Sequence, residues 1–268
     1  MNRIDRAFER AREQKRAALI AFITCGDPDL DTTVELIPAI EAAGADIIEI
    51  GIPHSDPIGE GPTIQASSQR ALKRGVTTAR ILQAVRRARA RSDVPLVLMG
   101  YLNNVLAYGP DKFASDAAAS GADGLILADI PYEATEALDA ACEAKGVHRV
   151  LLVTPTTTPE RSLCIARRSR GFVYCVSVTG VTGARRELPV GLEHAVARLR
   201  RQTSTPIALG FGISTPEQAA TVARFADGVI VGSALVERIG AAPSPREAVE
   251  RAAEFVAELR SGLTPRTL

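Results

Sequence analysis

Neither sign of charge prevails in this chain. Its 268 residues carry 32 Lys and Arg against 31 Asp and Glu, a net charge of +1. That leaves none of the basic footprint that nucleic-acid binding relies on. Lysine is scarce: only Lys15, Lys73, Lys112 and Lys145 are present, which reads as coding bias and carries no function. No apolar run reaches the length of a membrane span. The start, Met1 to Arg6, lacks the hydrophobic core of a signal peptide and goes straight into an amphipathic helix pattern, so a cytoplasmic protein is expected. The four cysteines, Cys25, Cys142, Cys164 and Cys175, form no CxxC pair. Each lies in or beside an apolar or helical stretch, as free, mostly buried thiols in a reducing compartment do. His54, His148 and His194 are far apart and form no ligand pair, so no metal site is expected. There is no linker, low-complexity segment or composition break, and residues 1–268 read as one domain.

What is present is alternation. Eight short strand candidates recur along the chain: Leu19–Thr24, Ile47–Gly51, Leu96–Met99, Gly124–Ala128, Arg149–Val153, Phe172–Ser177, Ile207–Gly210 and Gly228–Val231. Most are continuous apolar runs, as parallel strands covered on both faces are. Helical patterns fill the gaps at Thr32–Ala43, Thr78–Ser92, Pro110–Ser120, Glu133–Lys145, Pro159–Arg168, Leu192–Arg201, Pro216–Phe225 and Pro245–Leu259. Thr32-Thr33-Val34-Glu35 reads as a capping box. Thr215-Pro216 and Ser244-Pro245 place a cap before proline at the first helical position. Gly44, Gly121 and Gly146 fall where helix C-caps are wanted. Ala43–Asp46 and Ser120–Asp123 look like one helix-to-strand joint used twice. Eight βα units in a chain of this length predict an α/β fold, a (β/α)8 barrel with an extra N-terminal helix. An open doubly wound sheet that bound a dinucleotide would want a GxGxxG turn after its first strand, and none is present.

The chemistry gathers at predicted strand ends, where such barrels build their sites. Glu49 is a lone carboxylate in an apolar strand. Side chains alternate along a strand, so Ile47, Glu49 and Gly51 share one face and Ile48 and Ile50 the other. A buried charge is costly unless something satisfies or uses it. The loop that follows, Ile52–Pro62, is long and rich in Gly, Pro and acid. Asp56 reads evenly as solvated loop charge or as a helix cap or partner contact, and Glu60, flanked by glycines, as a second functional carboxylate. The sixth strand candidate runs into a Gly- and Thr-rich loop, Ser177–Arg186, of the kind that closes over a substrate. Gly210-Phe211-Gly212 and Gly232-Ser233 follow the last two. Backbone N–H groups at such loops and at a short helix N-terminus can hold a phosphate without Lys or Arg. The residues therefore point to acid/base chemistry on a phosphorylated metabolite, without naming it.

Several motifs then coincide. They are Phe22-Ile23-Thr24 with Gly26-Asp27-Pro28, Glu49-Ile50-Gly51-Ile52-Pro53 with Ser55-Asp56-Pro57, and Gly61-Pro62 with Ile64-Gln65. Asp129-Ile130-Pro131, Gly180 to Arg185, Gly210-Phe211-Gly212-Ile213 and Gly232-Ser233 complete the set. With these, nearly the whole chain resembles the tryptophan synthase α-subunit family. The resemblance implies retro-aldol cleavage of indole-3-glycerol phosphate to indole and glyceraldehyde 3-phosphate, a carbon–carbon lyase reaction of L-tryptophan biosynthesis. It implies Glu49 as the principal acid/base. The second family carboxylate is an aspartate that stabilises the indole N–H, and Glu60 stands there instead, one methylene longer. Gly59 would supply the slack. By the same resemblance Gly183, Gly212, Gly232 and Ser233 hold the phosphate, and Phe22, Ile64, Tyr174 and Phe211 line the pocket. Thr182 closes over the site. Asp56 faces a β subunit, in an α2β2 tetramer, that carries pyridoxal phosphate; this chain shows no cofactor lysine of its own, and none of its own cofactors is expected. His54 stands where many relatives have an aromatic and reads as a loop or interface residue. Two alternatives stay open: a stand-alone lyase that releases indole, and a catalytically weak activating partner of a β subunit.

Overall fold

The computed structural model describes residues 1–154, 156–176, 192–210 and 212–263. Nine strands are present among them: β1 (Ala18–Thr24), β2 (Ile47–Gly51), β3 (Leu96–Gly100), β4 (Gly124–Leu127), β5 (His148–Arg149), β6 (Leu151–Val153), β7 (Val173–Val176), β8 (Ile207–Gly210) and β9 (Gly228–Val231). The helices are α1 (Arg3–Glu13), α2 (Leu30–Ala42), α3 (Pro62–Lys73), α4 (Thr78–Arg89), α5 (Leu102–Tyr108), α6 (Pro110–Ser120), α7 (Glu136–Ala144), α8 (Pro159–Arg168), α9 (Leu192–Arg200), α10 (Pro216–Ala223), α11 (Ser233–Gly240) and α12 (Pro245–Gly262).

All strand pairs are parallel, in the order β5-β4-β3-β2-β1-β9-β8-β7-β6. β5 and β6 are separated by Val150 alone, β5 pairing with β4 and β6 with β7. They are the two halves of one predicted strand, and through that one residue the sheet closes into an eight-stranded barrel. The interior holds a layer with one apolar residue from each strand position: Ile20, Ile47, Val97, Ile126, Val150, Phe172, Ala208 and Ile230. Alternate residues, Leu19, Ala21, Ile23, Ile48 and Ile50 among them, face outward into the larger core under the helices. The predicted parity of β2 therefore holds.

The N-terminal helix α1 stops one end of the barrel. Ile4, Ala7, Phe8 and Ala11 are buried on its inner face and join the interior layer. Asn2 caps it in a capping box with Asp5. A Cβ on Gly124 or Gly171 would come within 2.9 or 2.8 Å of Ile4, so these glycines make room for the helix.

The repeated joint occurs three times. Asp46 accepts the N–H of Leu19 at 2.8 Å and two bonds from Arg16. Asp123 accepts the N–H of Leu96 at 2.9 Å and a bond from Arg89. Asp227 accepts the N–H of Ile207 at 2.9 Å and a bond from Arg200. In each case a carboxylate before one strand satisfies a backbone donor of its neighbour, and an arginine satisfies the carboxylate.

Three local expectations need correction. Asp29, not Thr32, caps α2: its side chain accepts from Thr32 N–H, and the buried Thr33 hydroxyl is spent on Gly26 N–H and Asp29 carbonyl. The expected helix from Glu133 opens as a 3-10 turn, Tyr132–Ala134, before α7 begins. The helices α3, α5 and α11 are not among the helical ranges that the sequence predicts. The buried face of α3 is Ile64, Ser67, Ser68 and Ala71, too polar to give an apolar period. Thr215 and Ser244 cap α10 and α12 as expected. No helix among the described residues is long and apolar enough to cross a membrane.

Candidate active site

The open end of the barrel lies above the interior layer. There the inward residues change character: Phe22 on β1, Glu49 on β2, Met99 on β3, Tyr174 on β7 and Gly210 on β8. Phe22 and Glu49 are register partners on adjacent strands. Glu49 is fully buried, and neither carboxylate oxygen has a hydrogen-bond partner among the described residues. Removal from water disfavours its charged form, and the charge of Glu60 adds to the effect. Together they push its pKa up to about 8. The buried carboxyl is thus mostly protonated at neutral pH.

Glu60, on the loop between β2 and α3, is near enough for its charge to act on Glu49. A small open cleft is lined by Phe22, Glu60 and Ile64, together with Thr24, Met99 and Tyr101; Glu49, Tyr174, Gly232 and Ser233 are not part of its lining. The loop is held from several sides. Glu60 N–H donates to Pro57 carbonyl at 2.9 Å, and the Gln65 amide donates to Glu60 carbonyl at 2.9 Å. Gly59 has no left-handed backbone angle, and a Cβ there would meet only the Tyr101 hydroxyl, at 3.5 Å. Sterics do not demand glycine at that position, so the expected slack is not a steric requirement. Its N–H donates to the Tyr101 hydroxyl at 3.3 Å.

Tyr174 belongs to the same electrostatic group. Its phenol is pushed well above the usual value, first by burial and then by Glu49 and Glu60. A Cβ on Gly210 would lie 2.7 Å from the Tyr174 oxygen, so the bare backbone of β8 is what lets the phenol lie there. Gly212 follows with a φ of +61°, a left-handed angle that glycine takes without strain. Gly232 stands at the N-cap of α11 with no side-chain cap, and Ser233 is the first residue of that helix. A Cβ on Gly232 would touch Phe22 at an ordinary 3.6 Å. The N-terminus of α11 therefore lies beside the cavity wall that Phe22 forms, where backbone donors and the helix dipole favour an anion.

Of the residues singled out from sequence, the structure brings Phe22, Glu49, Glu60, Ile64, Tyr174, Gly232 and Ser233 to one end of the barrel. Asp56 is exposed and outside the cavity lining. Thr182, Gly183, Phe211 and the expected closing loop fall outside the described residues. Met99, Tyr101 and Thr24 are cavity residues that sequence reasoning passed over. The rule that barrel sites use strand C-terminal ends, applied to β1 and β3 as it was to β2, would have found them.

The comparisons with known proteins agree with this geometry. The family model described as Tryptophan synthase alpha chain matches residues 8–264. A Tryptophan synthase alpha chain of Geobacter sulfurreducens is 49% identical over 266 residues, covering 98% of this chain and 99% of that protein. One from a Thermoanaerobacter species is 47% identical over 263 residues, covering 98% of this chain and all of that protein. Among solved structures, Mycobacterium tuberculosis tryptophan synthase superposes with a TM-score of 0.90 at 39% identity, with 98% of each chain covered. The alpha chain from Legionella pneumophila gives a TM-score of 0.89 at 37% identity, covering 98% of this chain and 97% of that one. A barrel with a buried carboxyl, a second carboxylate on the next loop and a glycine-capped helix N-terminus, aligned end to end with these relatives, belongs to the tryptophan synthase alpha chain family.

Proposed function

We propose that Glu49 and Glu60 carry out the retro-aldol cleavage of indole-3-glycerol phosphate, the carbon–carbon lyase reaction of this family in tryptophan biosynthesis. The observation that carries the reading is the fully buried Glu49 carboxyl, without a hydrogen-bond partner among the described residues and with its pKa near 8. A protonated carboxyl can deliver its proton to C3 of the indole ring. The resulting carboxylate can take the proton of the adjacent glycerol hydroxyl. The bond between C3 and the glycerol carbon then breaks, its electron pair returns to the ring, and an aldehyde forms. Positive charge develops on the ring nitrogen after C3 protonation, and the Glu60 carboxylate balances it. Acid/base groups of this kind perform best with a pKa near working pH.

Phe22, Ile64, Tyr174 and Phe211 line the indole end in this reading. Gly183, Gly212, Gly232 and Ser233 hold the phosphate, and Thr182 closes over it. The chain works as a single-domain cytoplasmic subunit, with Asp56 and its loop against a β subunit that carries the pyridoxal phosphate. The solved M. tuberculosis relative is described as tryptophan synthase.

The test is Glu49→Gln, assayed for indole formation. The amide keeps the shape but cannot exchange the proton, so turnover should fall about 100-fold or more, the scale of a positioned acid/base group. Substantial residual turnover with normal substrate binding removes Glu49 from the mechanism.

A further inference from the structure

The loop that returns Glu60 to the cavity is gripped by two stacked rings. Tyr101, at the end of β3, is buried, and its N–H donates to Asn104 Oδ1 at 3.1 Å. Asn104 in turn donates to Pro53 carbonyl at 3.5 Å, tying the start of the loop to α5. The Tyr101 hydroxyl accepts the N–H of Gly59, the residue before Glu60. Its ring lies against His54, with centroids 4.6 Å apart and planes inclined by 30°. His54 Nδ1 accepts the N–H of Asp56 at 3.1 Å, which folds the loop back on itself. The contacts close a circuit: His54 holds Asp56, the turn runs on to Gly59, Gly59 holds Tyr101, and Tyr101 stacks on His54. His54, Tyr101 and Glu60 all line the same cavity.

This circuit bears on Glu60 because a glutamate side chain has three rotatable bonds. Where its carboxylate stands therefore depends in part on how firmly the turn beneath it is fixed. Any aromatic ring at position 54 could stack on Tyr101. Only a ring with an acceptor can also satisfy the N–H of Asp56. We propose that His54 is a positioning residue for the Glu60 carboxylate, acting through Tyr101 and the turn from Asp56 to Gly59. The proposal rests on the reading of Glu60 as the second reacting carboxylate.

A double-mutant cycle tests it on the full-length chain assembled with its β subunit, read as steady-state cleavage of indole-3-glycerol phosphate. His54→Ala should lower kcat about tenfold, by misplacing the carboxylate, and leave KM within about twofold. His54→Phe, which keeps the ring and loses the acceptor, should fall between. In the Glu60→Gln background His54→Ala should cost nothing further, since the group it positions is already neutralised. The same tenfold loss in both backgrounds would overturn the proposal, as would a normal kcat in His54→Ala. If His54→Ala does not fold, His54→Phe crossed with Glu60→Gln gives the same decision. Full activity in Glu60→Gln alone is the separate result that removes the reading of Glu60, and the proposal with it.

Discussion

At the scale of the residue, Glu49 carries a cost that pH exposes. Its folded pKa is raised from 4.5 to about 8 by burial, so the sign of the linkage is fixed. Below the unfolded value both states are protonated, and stability is unaffected by this group. Between about pH 4.5 and 8 the unfolded chain ionises while the folded chain holds its proton, and stability falls. Above about 8 the fall ends. At about 1.36 kcal/mol per pH unit the window is worth roughly 5 kcal/mol. Glu49→Gln removes the titration. It should therefore melt close to the parent at pH 5 and about 10 °C above it at pH 8. A melting difference that does not grow across this window would mean that the carboxyl is solvated in solution. Glu60 poses the opposite question, one of reach. Glu60→Asp restores the family residue, and if the loop is fitted to the longer side chain, activity should hold steady or drop. A marked rise in indole formation would identify Glu60 as a lesion. Both carboxylates were legible in the sequence, Glu49 from its parity in an apolar strand and Glu60 from its glycine-flanked loop. That Glu49 has no hydrogen-bond partner among the described residues was not legible, because it depends on which side chains seven other strand positions send inward.

At the scale of the element, the strands were legible because burial on both faces leaves almost only apolar residues between their ends, Glu49 on β2 being the exception. β2, β8 and β9 have the predicted boundaries. The fifth predicted strand is split at Val150, since the barrel closes there and the two halves pair with different neighbours. The helix α3 escaped notice because serines occupy its buried face, and the α2 cap was misassigned because Asp29 stands before two threonines that could equally have capped. The N-terminus of α11 is the element with most bearing on function. A Cβ at Gly232 meets only ordinary contacts with Phe22, so Gly232→Ala should fold normally. The methyl group would still stand between the helix N-terminus and any anion that approaches it. KM for indole-3-glycerol phosphate should rise about tenfold or more with little change in melting temperature, a loss of about 1.4 kcal/mol of binding. Unchanged affinity for glycerol phosphate would place the phosphate elsewhere.

At the scale of the whole molecule, the barrel separates what holds it together from what it does. One end is sealed by α1 and by the carboxylate–arginine joints at Asp46, Asp123 and Asp227. The other end carries the two glutamates, the cavity and the N-terminus of α11. The interior layer of eight apolar residues lies between them. A defect at the sealed end should therefore reach the chemistry only through stability. Phe8 makes this testable: it is 6% exposed, its ring is 5.6 Å from that of Phe172, and it packs against the interior layer. Phe8→Ala removes a large side chain from a packed site and leaves a cavity, at a cost of about 3–5 kcal/mol. For a chain of this size that is a fall of roughly 10 °C in melting temperature. Well below the new transition, kcat and KM for cleavage should stay within about twofold of the parent, because the site keeps its own support from β2, β3 and α3. A loss of kcat at temperatures where Phe8→Ala is still fully folded would show that the plug and the glutamates are coupled through the interior layer, and that the two ends of the barrel are not independent.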